Sequence, residues 1–351
     1  MNVPYEDRKL HNDGIFDSLL GYKEWFHYQG TFFVDGKPLT FVMGFPQSFT
    51  GLGVLGWVSF DSHQFSLAGN LEDKDHDGFF DLKTRAHYRK IQKNGKKGYN
   101  LRYEGGPNPE ETYKGNVEGI FPGLTIDITT PDCDFIISME INSPQTSVAQ
   151  TEVFEWMPFR KRIASWFHSG DTTASIKGTI QGTDVTTASN KNRGWYERMW
   201  SKVVVLWPSE WFWFMIHLDN GAVFDLYIAT SLGLRVHSFD ECWLYENGTF
   251  HKFTDYDGHV PENLERAIAI QDYSEIIGER ITCKGKEKDS SFQVDAIITD
   301  FRQYEFHNYS ANINYTNFIF ETEGEATIGG KTIDMKGRGV AEWAPMKYWW
   351  I

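Results

Sequence analysis

The sequence predicts an all-β protein of two similarly built domains, and three observations carry that expectation. Phe, Trp and Tyr make up 16% of the 351 residues, beside 32 glycines. Aromatic side chains favour pleated, half-buried surfaces, and glycine marks turns and close backbone approaches. Short apolar runs recur with turn residues between them, as in a sandwich or barrel. Helical periodicity is scarce. Its best stretch is 261–277, with Leu264, Ala267 and Ile268 on one stripe, and 160–168 is a weaker one.

In chain order, the first clear unit is a hairpin. Thr31-Phe32-Phe33-Val34 and Leu39-Thr40-Phe41-Val42-Met43 flank Asp35-Gly36, a pair suited to the positive φ angles of a tight turn. Further strands are expected at 54–60, 79–88, 124–128, 135–141, 175–180 and 202–206. Others follow at 211–218, 222–229, 242–245, 292–298 and 317–321. The run Trp211-Phe212-Trp213-Phe214-Met215-Ile216-His217-Leu218 is apolar at both parities, so both faces are expected to be covered. Either one face lines a cavity or both meet packed layers.

An internal echo suggests the domain boundary. Lys23-Glu24-Trp25-Phe26-His27-Tyr28 leads into a strand, the Asp35-Gly36 turn and a returning strand. Gly194-Trp195-Tyr196-Glu197-Arg198-Met199-Trp200 leads into 211–218, an Asp219-Asn220-Gly221 turn and a returning strand at 223–228. The polar stretch 181–193 precedes the second copy, so the expected domains are 1–185 and 186–351.

Charge and cysteine usage narrow the function. Lys and Arg number 34 against 48 Asp and Glu, a formal charge of −14. Such a surface repels phosphate backbones and anionic lipid, so nucleic acid is not an expected partner. The longest apolar run, 211–218, is too short for a membrane-spanning helix. The first ten residues include Glu6, Asp7, Arg8 and Lys9 and do not read as a signal peptide. Cys133, Cys242 and Cys283 are widely spaced and suit reduced thiols, so a cytoplasmic location is expected.

Two motif-like stretches are set aside. Gly51-Leu52-Gly53-Val54-Leu55-Gly56 has dinucleotide-binding spacing, but Trp57-Val58-Ser59-Phe60 continues it as a strand where a helix N-terminus is needed. Asp73, Asp75, Asp77 and Asp81 imitate a calcium loop, yet its twelfth position is Thr84 instead of a bidentate Glu. An acidic hairpin tip is the better account. No zinc-ligand or serine-hydrolase motif occurs, and neither a cofactor nor a metal is expected.

Glu24-Trp25-Phe26-His27-Tyr28-Gln29-Gly30, the Gly194–Trp200 motif and the aromatic strand entering Asp219-Asn220-Gly221 resemble one lipocalin-like group. It contains AttH-type proteins, carotenoid 1,2-hydratases (hydroxyneurosporene synthases), kievitone hydratase and decalin-forming Diels–Alderases. The resemblance implies two lipocalin-like (calycin-type) antiparallel β-barrels or half-barrels packed together, with a pocket between or within them. It also implies chemistry on isoprenoid- or polyketide-like substrates without a redox cofactor. One departure matters. Arg198 stands where the hydratases carry the His of a His-x-Trp pair, while Trp200 is kept. A guanidinium stays protonated near neutral pH and serves as neither acid nor base, so the hydratases' own route is in question. On the strand after the second hairpin, where the hydratases carry a Tyr and an Asp, Asp225 is the candidate carboxylate, with Phe224 or Tyr227 nearby.

Protonating an alkene needs a carboxylic acid in an apolar wall, where desolvation favours the proton-donating form, and aromatic faces to stabilise the cation. Asp225 and Glu197 are the candidate catalytic carboxyls. Their ordinary alternatives are, for Asp225, a rim or loop-facing strand carboxylate and, for Glu197, a salt bridge to Arg198 or a neighbour. Trp25, Tyr28, Trp195, Arg198, Trp200 and Tyr227 are the candidate substrate-binding residues, with core packing the rival role for the aromatics. Period two puts Val223, Asp225 and Tyr227 on one face, which would let Tyr227 hydrogen-bond the carboxyl.

Two functions follow. One is a cofactor-independent hydratase, isomerase or cyclase acting on an unsaturated hydrophobic molecule. The other is a carrier of such a ligand, with Arg198 gripping its carboxylate or carbonyl. In both, a conjugated polyene entering an aromatic-lined cavity quenches tryptophan emission. A panel of polyenes and terpenoids that leaves the emission of the folded protein unchanged would remove the cavity.

Overall fold

Turn chemistry decides where this chain reverses. Asp35-Gly36 and Asn247-Gly248 both have positive φ at both central residues, +49° and +81° in each pair, which matches the twist of the strands they join. The computed structural model describes residues 23–48, 51–68, 84–105, 112–142, 147–153, 161–201, 210–231, 234–235, 240–258, 260–264, 276–307 and 311–348.

The first sheet begins with β1 (Lys23–Val34), β2 (Lys37–Ser48), β3 (Gly51–Gly53), β4 (Leu55–Phe60), β5 (His63–Ser66), β6 (Arg85–Lys93) and β7 (Lys96–Gly105). It continues with β8 (Tyr113–Ile120), β9 (Gly123–Thr129), β10 (Cys133–Ile141), β11 (Ser147–Val153), β12 (Lys161–Ile180), β13 (Thr183–Asp184) and β14 (Arg193–Ser201). The second sheet contains β15 (Glu210–Leu218), β16 (Val223–Ser231), β17 (Leu234–Arg235), β18 (Glu241–Glu246), β19 (Thr249–Lys252) and β20 (Asp255–Gly258). β21 (Arg280–Glu287), β22 (Ser290–His307), β23 (Ala311–Ile328), β24 (Lys331–Asp334) and β25 (Gly337–Tyr348) complete it. The fold is all-β, and the described helical residues are 262–264. No described helix is long and apolar enough to cross a membrane.

In the first sheet the order runs β1-β14-β12-β10-β9-β8-β7-β6-β3-β2, and β2 also pairs with β1. The hydrogen-bonded path therefore returns on itself through the three-residue β3, while β4 and β5 continue from β2 off that closed path. The second sheet runs β19-β18-β16-β15-β25-β23-β22-β21-β20. Each sheet encloses its own apolar core, one around Phe26, Phe41, Leu101 and Ile137, the other around Phe214, Phe224, Val294 and Phe320.

Glycine and aromatic residues work together in these sheets. Tyr99 and Tyr103 on β7 face Gly119 and Gly115 on β8 in register, and Phe292 and Phe320 face Gly285 and Gly339. A Cβ at Gly115 would lie 2.1 Å from the Tyr103 ring, and one at Gly119 2.5 Å from Tyr99. The rings lie across the bare backbone of the neighbouring strand, which explains why one chain needs so many of both residue types.

Burial separates two kinds of strand. β10 alternates strictly between buried and exposed residues. In β15, by contrast, Phe212 to Ile216 are buried consecutively, so both faces are covered, as its composition predicts. β1, β2, β14, β16 and β25 share this double burial over much of their length.

Several expectations change. The Gly194–Trp200 motif, placed by the echo at the head of the second domain, is strand β14 of the first sheet. It pairs with the very motif it echoes, Tyr28 opposite Tyr196 and Gln29 opposite Trp195. The compact units are accordingly Met1–Val205 with Phe306–Ser310, and Leu206–Glu305 with Ala311–Ile351, so the division follows residue 205 and not 185. The helical stripe at 160–168 falls, from Lys161 on, in β12, which ladders to β14 on one side and β11 on the other there. Strand pairing overrides so short a pattern. Gly51 to Gly56 form β3 and the start of β4, as its rejection as a nucleotide motif requires. Most of the expected helix at 261–277, the strand at 202–206, and Asp73, Asp75, Asp77 and Asp81 lie outside the described residues.

Gly115→Ala should overpack the Tyr103 ring and destabilise the protein by about 1–3 kcal/mol. Gly105→Ala, whose Cβ among the described residues meets Thr84 at 3.8 Å, should be near neutral. Urea unfolding of the two variants checks the pair, and equal midpoints would contradict the packing argument.

Candidate functional site

Alternation on β14 sends neighbouring residues to opposite faces. Tyr196 and Arg198 face the core of the first sheet; Trp195 and Glu197 face the other way. Arg198 pairs in register with Phe26 on β1 and Phe167 on β12. It is fully buried, with its guanidinium carbon 3.6 Å from the centre of the Phe26 ring. Tyr28 joins it on this face. The Tyr28 hydroxyl lies 2.8 Å from that of Tyr99, and its ring centre is 5.6 Å from Tyr196. Phe121 and Tyr88, both partly exposed, pack at the edge of this aromatic group.

The opposite face carries Trp25, His27, Trp195, Glu197 and His168. Glu197 stands between two histidines in register, His27 on β1 and His168 on β12. His27 Nδ1 is 3.6 Å from Glu197 Oε2, and both side chains are buried. The His168 ring stacks on Trp195, with centres 5.7 Å apart and planes 12° apart. The ion-pair alternative for Glu197, a bridge to Arg198 or a neighbour, thus has His27 as one neighbouring partner. Trp200 lies in β14 opposite Glu24, and its side chain is outside the described residues.

In the second sheet, Phe224 and Leu226 fill the core while Val223, Asp225 and Tyr227 turn to the other face. Asp225 is fully buried there, with Met215 and Trp243 as its register neighbours. Its Oδ1 accepts a hydrogen bond of 2.7 Å from Trp213 Nε1. Tyr227, expected to hold the carboxyl, sets its ring at 76° to Trp213, with centres 6.4 Å apart. Trp213 is the register partner of Tyr227 and reaches Asp225 diagonally, which only a long side chain can do.

The sequence reading missed a second polar group on this face. Tyr315 donates its hydroxyl proton to Glu342 Oε1, and Asn317 Nδ2 donates to the Tyr315 oxygen at 3.0 Å. All three are buried. They come from β23 and β25, the latter adjacent to β15, with no local motif to announce them.

Burial sets the protonation of several groups. The Tyr28 phenol is held well above its usual value, first by burial and then by Tyr99, and burial raises Tyr88 and Tyr103 as well. These hydroxyls act as neutral hydrogen-bonding groups. Burial pushes the Cys133 thiol up to about 12, and Cys283 higher still, so neither is a ready nucleophile. Taking each unit by itself, no three described His, Cys, Asp or Glu side chains converge closely enough to hold a metal ion.

No family model matches this sequence, and no curated protein matches it. Solved structures do. CghA crystallised with Sch210972 aligns with a TM-score of 0.57 at 10% identity, over 92% of this chain and 88% of that one. An AttH-like protein, NE1406 of Nitrosomonas europaea, aligns at 0.52 and 13% identity, over 98% and 97%. The likeness is one of fold: two curled antiparallel sheets of lipocalin-like build.

The raised phenols make stability depend on alkaline pH. The folded chain retains phenolic protons that the unfolded chain loses near its ordinary value of 10.0, so this stability is present below that pH and is lost above it. The urea midpoint should fall between about pH 9 and about pH 11. A midpoint constant over that range would contradict the burial of these hydroxyls.

Proposed function

We propose that this protein is a cofactor-independent enzyme, a lyase or an isomerase/cyclase, acting on an unsaturated hydrophobic isoprenoid- or polyketide-like small molecule. The observation that carries this reading is the fully buried Asp225 with the Trp213 indole on its Oδ1. A carboxyl kept from water favours its neutral form, the form that donates a proton, and the indole fixes its orientation. Asp225 is the proton donor, Trp213 positions it, and the aromatic faces of Trp213 and Tyr227 lie beside any cation that forms. The shared fold of CghA and the AttH-like protein supports the reading, as does the motif resemblance.

A second reading, a carrier without chemistry, is favoured by Arg198. A buried guanidinium among Phe26, Tyr28 and Tyr196 suits the carboxylate or carbonyl end of an apolar ligand. The two readings part on simple variants. For an enzyme, Asp225→Asn should hold ligand affinity within a few-fold and lower turnover by about two to four orders of magnitude. A carrier has no turnover, and its binding falls on Arg198→Met. Trp213→Phe keeps an aromatic ring and removes the N–H that favours the charged carboxylate. The pH above which acid-dependent activity declines should then move upward. Turnover of Asp225→Asn at the wild-type rate would overturn the proton-donor role, and an unmoved pH profile in Trp213→Phe would overturn the positioning role.

A further inference from the structure

Glu342 occupies a junction in the second sheet. On one side it pairs in register with Trp213 of β15, on the other with Asn317 of β23. Register partners in an antiparallel pair share a face, so Asn317, Glu342 and Trp213 form one row across three adjacent strands. Asp225, bonded to Trp213, lies one row away on the same face. The opposite face of these strands is filled with Phe214, Phe318, Phe320 and Ala341 of the apolar core.

Hydrogen bonding within the row has a direction. The Tyr315 hydroxyl spends its only proton on Glu342, and its oxygen accepts from Asn317 Nδ2. Asn317 is fully buried, and among the described residues nothing donates to its Oδ1. A buried amide oxygen in that state bears its desolvation cost without return. Beside it stands the Glu342 carboxyl, itself an acceptor of the Tyr315 proton. The chemistry of this row therefore calls for a donor.

We propose that Asn317, Glu342 and Tyr315 form a hydroxyl-recognition site, which takes an O–H of an otherwise apolar ligand at Asn317 Oδ1 and the Glu342 carboxyl. The ligand is thus an alcohol or enol and not a bare hydrocarbon. This rests on the reading that the Trp213–Asp225 face meets an apolar ligand. It adds a specificity element to that face, since a site built to bond a hydroxyl rejects analogues that lack the proton.

Tryptophan quenching in the full chain tests it, with retinol and retinyl methyl ether as probes. They share a conjugated polyene and differ in one O–H. The wild type should bind retinol at least about tenfold more tightly than the ether. Asn317→Leu and the more conservative Glu342→Gln should bring the two affinities within about twofold of each other while the ether's affinity holds. A purely structural network would lower the urea midpoint in these variants and leave the preference intact. Equal wild-type affinities, or a preference surviving both substitutions, would overturn the proposal alone. Quenching by neither probe would overturn both it and the reading beneath it. Asp225→Asn should retain the retinol preference, so failure of the proton-donor role shows separately, as turnover that survives that substitution.

Discussion

A strand covered on both faces gives a polar side chain no route to water. β1 and β14 in the first unit, and β15, β16 and β25 in the second, meet that condition over most of their length. A polar group buried on them is costly unless it is paired. His27 meets Glu197, Trp213 meets Asp225, and Tyr315 meets Glu342. These buried pairs thus sit in the walls of the sheets, on elements whose backbone is fixed by ladder hydrogen bonds on two sides.

Register gives those walls their meaning. Arg198 lies among aromatic rings in the first core, and Glu197 lies between two histidines on the reverse side, only because β14 keeps its alignment with β1 and β12. A slip of one residue would exchange the two charges between faces. The aromatic-over-glycine pairs help to hold such alignments. Tyr103 covers Gly115 and Tyr99 covers Gly119 two turns of the pleat apart, and a shifted ladder would drive both rings into side chains. The Tyr99 hydroxyl in turn meets Tyr28, so the packing device and the aromatic group around Arg198 share a residue.

Much of the architecture was legible because its signals are local. Asp35-Gly36 and Asp219-Asn220-Gly221 turn the chain where their chemistry says, and the doubly apolar run at 211–218 is doubly buried. Other strands were silent. β7 (KKGYNLRYEG), β8 (YKGNVEGI) and β21 (RITCKGKE) carry charged residues on their wet faces, and β8 and β21 carry glycines on the faces the rings cover, so no apolar run marks them. The likeness between the 24–30 and 194–200 motifs was visible, but it reflects two strands lying side by side in one sheet and not the openings of two domains.

The sequence by itself determined the fold class, the turns and, through period two, which residues of a strand share a face. Val223, Asp225 and Tyr227 fall together for that reason alone. Only the tertiary structure decided which strands became neighbours. β25, near the end of the chain, lies between β15 and β23, and so Glu342 comes to stand beside Trp213 and Asn317. No local pattern encodes that placement, because strand order and register are chosen by how well whole sheets bury their apolar faces, a free energy summed over residues far apart in sequence.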